Sequence, residues 1–213
     1  MGLFFDRIIF NAIFVVGLFS IIYIFIKRGT KKMNRLRDEY LEEDMEANNA
    51  RKRDVEQEYY FKADISRIPF QEAPSANIKR KQEHVIYSSK REMLHFPEKM
   101  SNIDLKFAYG VANLELIAGY EENYYRFISS LISLAEALAA EGNRADAIRI
   151  FEYTVELRSE YRKSYLPLAD YYAEKHNAPK LDFLMDRISE IFTDEGIKKS
   201  LLKYIMDKKE DIA

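Results

Sequence analysis

The sequence predicts an all-α protein in which a single N-terminal transmembrane helix carries an antiparallel α-helical array. Three observations predict it. Residues 8–26 form an apolar run without a single charge. From Ser101 onward, apolar residues recur at helical spacing between short polar turns. Only seven Gly and five Pro are spread over 213 residues, so few breakers interrupt helices.

The run 8–26, IIFNAIFVVGLFSIIYIFI, is long enough at about 1.5 Å per residue to cross a hydrocarbon core of roughly 30 Å. Lys27-Arg28 follows it directly, with no small-x-small site of the kind that ends a cleaved signal peptide. Met1-Gly2 begins like a myristoylation signal, but Asp6 stands where Ser or Thr is required. Arg7 precedes the run, whereas Lys27, Arg28, Lys31, Lys32, Arg35 and Arg37 follow it. This excess places the short tail 1–7 outside and the C-terminal domain in the cytoplasm. The same six residues are the expected contacts to anionic lipid headgroups, each worth about 1 kcal/mol near the surface.

Residues 27–77 are expected to be a charged juxtamembrane helix and linker. Between 38 and 64, ten acids face four bases, and Gly and Pro are absent from 31 to 67, so a solvated helix can run on from the membrane. Met33, Leu36 and Tyr40 follow a coiled-coil spacing that Glu43, Ala47 and Asp54 do not continue. Homo-oligomerisation through this or the transmembrane helix is therefore a minority expectation. Pro69 and Pro74 with small polar neighbours mark a domain boundary at 66–77, and residues 78–213 form the expected soluble helical domain. Lys79, Arg80, Lys81, Lys90 and Arg91 could hold phosphate. Interleaved Glu83 and Glu92, and no accompanying Gly-rich turn, favour a solvated helix face.

Within that domain, Ser101 caps a helix whose first turn holds Asp104 and whose apolar spacing covers 105–117, stopping near Gly119. A second helix covers 121–140 and ends at Gly142-Asn143; a third covers 144–158. A fourth covers 164–174, with Pro167 placed in its first turn; Asn177-Ala178-Pro179 opens a fifth, running to Phe192. Thr193-Asp194 precede the last helix.

A 34-residue period runs through these helices. Leu131, Leu134, Ala135 and Leu138, then Ala147, Phe151 and Thr154, repeat as Tyr165, Leu168, Ala169 and Tyr172, then Leu181, Met185 and Ile188. The pattern resembles the tetratricopeptide repeat family over residues 128–192, with large–x–x–Leu–small–x–x–large on a helix A and small–x–x–x–large on a helix B. Leu181 and Thr154 depart from the family's small residues, and the closing Pro near Ser159 is missing. Two repeats, an upstream helix and a C-terminal capping helix are expected; an unrelated helical bundle is the alternative.

The resemblance implies protein or peptide binding on the concave face of the A helices, where Ile132, Glu136, Lys163, Leu166 and Asp170 fall. The family's carboxylate-clamping groove is not expected, since only Lys163 suits it and Glu136 and Asp170 would repel a carboxylate. The implied function is a membrane-anchored cytoplasmic scaffold or adaptor. The alternative is a structural component of an envelope, secretion or motility complex, with the domain outside the cytoplasm. Tyrosines from Tyr120 to Tyr172 are numerous enough to serve either helix faces or an interface.

No chemistry is expected of it. Zero Cys excludes disulfides, thiolate zinc sites and Cys nucleophiles. His84 and His95 are placed on a surface helix and His176 in a turn, none within four residues of another. No phosphate-binding Gly loop, nucleophile elbow or His-Glu-x-x-His string occurs. The expectation is a non-enzyme without cofactor or metal, and the net charge of −2 argues against nucleic acid as a partner.

Overall fold

The computed structural model describes the backbone of residues 2–212 and the side chains of residues 23–212. It is mostly helical, as the composition predicts, and divides into two compact units. One unit comprises Met1–Val55 and Glu98–Leu114; the other comprises Glu56–Pro97 and Glu115–Ala213. Among the described residues no helix is long and apolar enough to cross a membrane. The expected span 8–26 lies outside the described side chains up to residue 22.

In the first unit, α1 (Gly2–Ala47) is one continuous helix. It ends where Asn48 and Asn49 turn their N–H groups back to Asp44 and Glu46, and Asn49 Nδ2 donates to the Met45 carbonyl. The charged helix thus stops well short of residue 64, where the Asn49 side chain takes a backbone carbonyl of the last turn. Helix α2 (Ala76–Ser89) belongs to the other unit; α3 (Asn102–Tyr109) returns the chain to this one. Ser101 caps α3 as expected, and Asp104 makes the cap reciprocal, each side chain taking the other's backbone N–H.

Helix α3 stops at Gly110, at φ 78°, where an added Cβ would lie 2.9 Å from the Lys52 backbone nitrogen. Only glycine fits both the dihedral and the space. The helix expected over 105–117 is therefore broken. Gly119, the expected stop, sits inside α4 (Leu114–Ala140) with open space around it. Lys106 Nζ meets Asp44 Oδ1 at 2.6 Å, tying α3 to the end of α1.

The second unit holds β1 (Tyr60–Phe61) and β2 (Met93–Leu94), paired antiparallel, with α2 between them in sequence. The proline segment at 66–77 lies inside this unit rather than at its edge. Ile68 is buried, and Phe61, Ile65 and Phe70 pack against the core. Phe61 meets Tyr124 and Phe127, with ring centroids 5.2 and 6.1 Å apart. Arg67 lies 4.6 Å over the Tyr153 ring and pairs with Glu156 at 2.5 Å. Pro69 and Pro74 lie half-buried in irregular backbone, and residues 56–77 belong to the same unit as most of the domain expected to begin at 78.

Helix α2 runs antiparallel to α4. Residues 75, 81, 88 and 91, in α2 and just beyond its two ends, bond in turn to residues 141, 133, 130 and 123 in and just after α4. The upstream helix of the array is thus supplied by 76–89 rather than by 105–117. After α4 come α5 (Arg144–Glu156), α6 (Arg162–Glu174), α7 (Ala178–Ile191) and α8 (Glu195–Glu210). Helix α5 packs on α6, α6 on α7, α7 on α8, and α6 also on α8. Asn177 caps α7 by accepting from Lys180, and Asp194 caps α8 by accepting from Ile197. Pro167 is the sixth residue of α6, beyond its first turn, so the Lys163 carbonyl loses its helical partner there.

The 34-residue period recurs in the backbone. Gly142 N–H bonds to Ala139 and Asn143 N–H to Leu138; His176 N–H bonds to Ala173 and Asn177 N–H to Tyr172. Ala147 N–H to Asn143 and Leu181 N–H to Asn177 repeat the next bond. Gly142 and His176 both carry positive φ, 88° and 48°, as left-handed residues after a helix do. Of the residues defining the period, all but the half-buried Met185 are buried.

His176 is exposed and non-Gly in this left-handed position. His176→Gly is expected to raise stability by about 0.5–1 kcal/mol, removing a side-chain clash at some cost in unfolded-state entropy. His176→Ala should stay within about 0.5 kcal/mol of wild type. Urea denaturation of the chain lacking residues 1–26 reads both.

Candidate functional site

The five residues expected on a partner-binding face fall on α4 and α6. Ile132 and Leu166 are one period apart, as are Glu136 and Asp170. Ile132 is only 4% exposed and belongs to the core, so the structure removes it from the candidate surface. Helical spacing alone could not separate it from its exposed neighbours, because the burial comes from elements distant in sequence. Leu166 is half-buried and packs against the same core.

Each of the two acids is engaged by a cation from another helix. Lys163 Nζ of α6 lies 2.8 Å from Glu136 Oε1 of α4. Lys208 Nζ of α8 lies 2.9 Å from Asp170 Oδ1 of α6, which also accepts from the Tyr204 hydroxyl at 2.7 Å. Burial first, and then this hydrogen bond, raise the Tyr204 phenol above its ordinary value; the bond to Asp170 raises the Lys208 ammonium. The face is thus a mixed-charge surface with both acids already paired. Such half-exposed pairs contribute about 0–1 kcal/mol each, so a charged partner segment can displace them. Lys163, at 67% side-chain exposure, is its most accessible cation.

The six basic residues Lys27, Arg28, Lys31, Lys32, Arg35 and Arg37 are all exposed on α1. At about 100° per residue, the first five fall on one arc of roughly 140°, and Arg37 falls outside it. Met33, Leu36 and Tyr40, exposed by 66%, 46% and 55%, occupy the opposite side. Arg35 pairs with Glu39 at 3.1 Å, and Arg37 with Asp38 at 3.4 Å, which partly neutralises the C-terminal end of the cluster.

His95 departs furthest from its expectation. It follows β2 rather than lying on a surface helix. Its ring stacks on Tyr124 at 4.4 Å and 18°, and its Nε2 is buried without a hydrogen-bond partner among the described residues. Burial, and secondarily Arg158, push the His95 imidazole below its ordinary value. A folded-state value lower than the unfolded one leaves stability intact above about pH 6.5. Stability then falls as the pH drops from there toward the folded value, because the unfolded chain binds the proton first. Wild type is expected to lose more stability than His95→Phe between pH 7.5 and 5.5 in urea denaturation; equal losses would assign the acid sensitivity elsewhere.

Tyr124, Tyr153, Tyr165 and Tyr172 are buried and serve the core. Tyr124 and Tyr165 donate to the Leu157 and Ser159 carbonyls, and Tyr172 to Glu152 at 2.5 Å. Among the described residues, no group of three or more His, Asp and Glu side chains is placed to hold a metal ion. The chain matches no protein-family model, no curated protein and no solved structure.

Proposed function

We propose that the protein is a membrane-anchored cytoplasmic scaffold that presents a tetratricopeptide-like array to protein partners. The observation that carries this reading is the repetition of backbone hydrogen bonds, left-handed turn residues and buried positions at an interval of 34 residues. A stack built from such units offers an extended surface for other proteins. Residues 8–26 are the anchor in this reading, and the basic arc of α1 meets anionic headgroups. The apolar stripe of Met33, Leu36 and Tyr40, left uncovered by the chain, is where two copies would pair. Tethering concentrates a bound partner at the membrane.

Two measurements on cells test it. The full chain is expected to stay in the membrane pellet at alkaline pH, and a chain lacking residues 2–26 to appear in the supernatant. A reporter fused after Ala213 is expected to be active on the cytoplasmic side. Activity only on the opposite side would replace this reading with that of an envelope, secretion or motility component. Release of the full chain at alkaline pH would remove the anchor.

A further inference from the structure

We propose that the groove between α2 and α4 is a separate binding site, and that it takes an acidic peptide segment by its oxyanion. It shares no residue with the face on α4 and α6, and it does not require that face to be used. The groove is a cavity of about 370 Å³ lined by His84, Tyr87, Ser88, Arg91, Arg126 and Ser129.

Its lining is rich in donors and holds no carboxylate. Arg91 Nη1 donates to Asn123 Oδ1 at 3.0 Å, and Nη2 donates to the Tyr87 hydroxyl at 3.0 Å. The same guanidinium lies 5.3 Å from the Tyr87 ring centroid. Arg126 donates through Nε and Nη2 to one oxygen of Glu122, at 3.1 and 2.6 Å. A guanidinium carries five N–H donors, so each of these two keeps donors in reserve after making its bonds. Arg126 Nη1 bonds to nothing among the described residues. Arg91 is oriented by Asn123 and the Tyr87 hydroxyl, whereas Arg126 carries an exposed ion pair with Glu122 that an incoming anion competes with. The exposed Ser129 hydroxyl and His84 ring add further donors. Ser88 is buried and already bonded to Ser130.

Charge and shape select the ligand. Between 76 and 92 the chain carries five basic residues and two acids, Glu83 and Glu92, so the potential along α2 still attracts anions. An oxyanion bridged by two guanidinium groups makes the stronger, charge-assisted kind of hydrogen bond. Beside it, Tyr87 is 60% exposed and offers an aromatic face to a neighbouring apolar side chain. A peptide supplies the anion and the apolar side chain together, which a free ion does not.

The test is fluorescence anisotropy with the full chain in neutral-lipid nanodiscs. The probe is a labelled peptide centred on Glu-Phe-Glu, with phosphoserine-for-Glu and Gln-for-Glu counterparts. The Glu or the phosphoserine peptide is expected to bind at least about tenfold more tightly than the Gln peptide, and whichever binds better identifies the oxyanion. Arg126→Gln, with Arg91 intact, should weaken binding about tenfold, and Arg126→Lys by less, since an ammonium lacks the fork. Thermal melting confirms that each variant is folded. Arg126 is exposed, so these variants keep the test open even if a double Arg91→Gln, Arg126→Gln chain does not fold. Equal affinity for the Gln peptide, or an unchanged affinity in Arg126→Gln, would overturn the proposal. So would an arginine dependence confined to phosphatidylserine vesicles, which would give the groove to a lipid surface.

Discussion

Replacing Phe151 by Ala is expected to destabilise the array by about 3–5 kcal/mol. Phe151 lies on α5, is 2% exposed, and belongs to the core cluster that also holds Leu131, Leu134, Tyr165 and Leu168. Its removal takes an aromatic ring's worth of apolar surface out of contact and leaves a hole that helices fixed by turns at both ends cannot close. The turns are firm: Asn143 and Ser159 each return an N–H to a carbonyl five residues back. A domain of this size has a total stability of about 5–15 kcal/mol, so the loss is a large share of it. Urea denaturation of the chain lacking residues 1–26 measures it. A loss below about 1 kcal/mol would mean that α5 repacks freely, contrary to a close-packed interior.

Ala169→Leu is expected to cost about 1–3 kcal/mol, and Ala135→Leu a similar amount. The two alanines are one period apart, on α6 and α4, and neither has any exposed surface. Three added carbons at either site must push neighbouring helices apart or force side chains from their rotamers. The comparison between the two sites is the sharper test. If the period reflects equivalent packing, the two losses should agree within about 0.5 kcal/mol and add in the double variant, as for independent sites. One near-neutral substitution beside one costly one would show that the period in sequence does not extend to packing.

Much of the C-terminal array was legible before the structure. Gly142-Asn143 and Asn177-Ala178-Pro179 act through their own backbone chemistry, so the turns they make do not depend on distant contacts. The Ser101–Asp104 cap is equally local. The large and small residues repeating at 34 are buried in nearly every case, because a helix must turn its apolar stripe to the nearest packed neighbour.

The misplacements share one cause. Gly110 and Gly119 look alike in sequence; only the approach of the Lys52 backbone makes Gly110 the one that stops a helix. Residues 59–77 resembled the end of a linker, since the rings that Phe61 and Arg67 pack on belong to Tyr124 and Phe127 of α4 and Tyr153 of α5. His95 looked like a solvated histidine for the same reason: the ring that stacks on it belongs to Tyr124. Ile132 passed for a groove residue until the core closed over it.

By itself, the sequence determined the helical class, the turns that lead into α5, α7 and α8, and the 34-residue spacing of the core. Each of these is set by dihedral preference, capping chemistry or side-chain period within a few residues. Only the tertiary structure decided that residues 56–70 join the core, that α2 rather than 105–117 flanks α4, and that Arg91 and Arg126 line one groove. Those outcomes depend on surfaces brought together from positions 30 to 90 residues apart, as in the Arg91–Asn123 and Arg67–Glu156 contacts. Where burial comes from surfaces distant in sequence it is a property of the assembled neighbourhood, and the local pattern does not encode it.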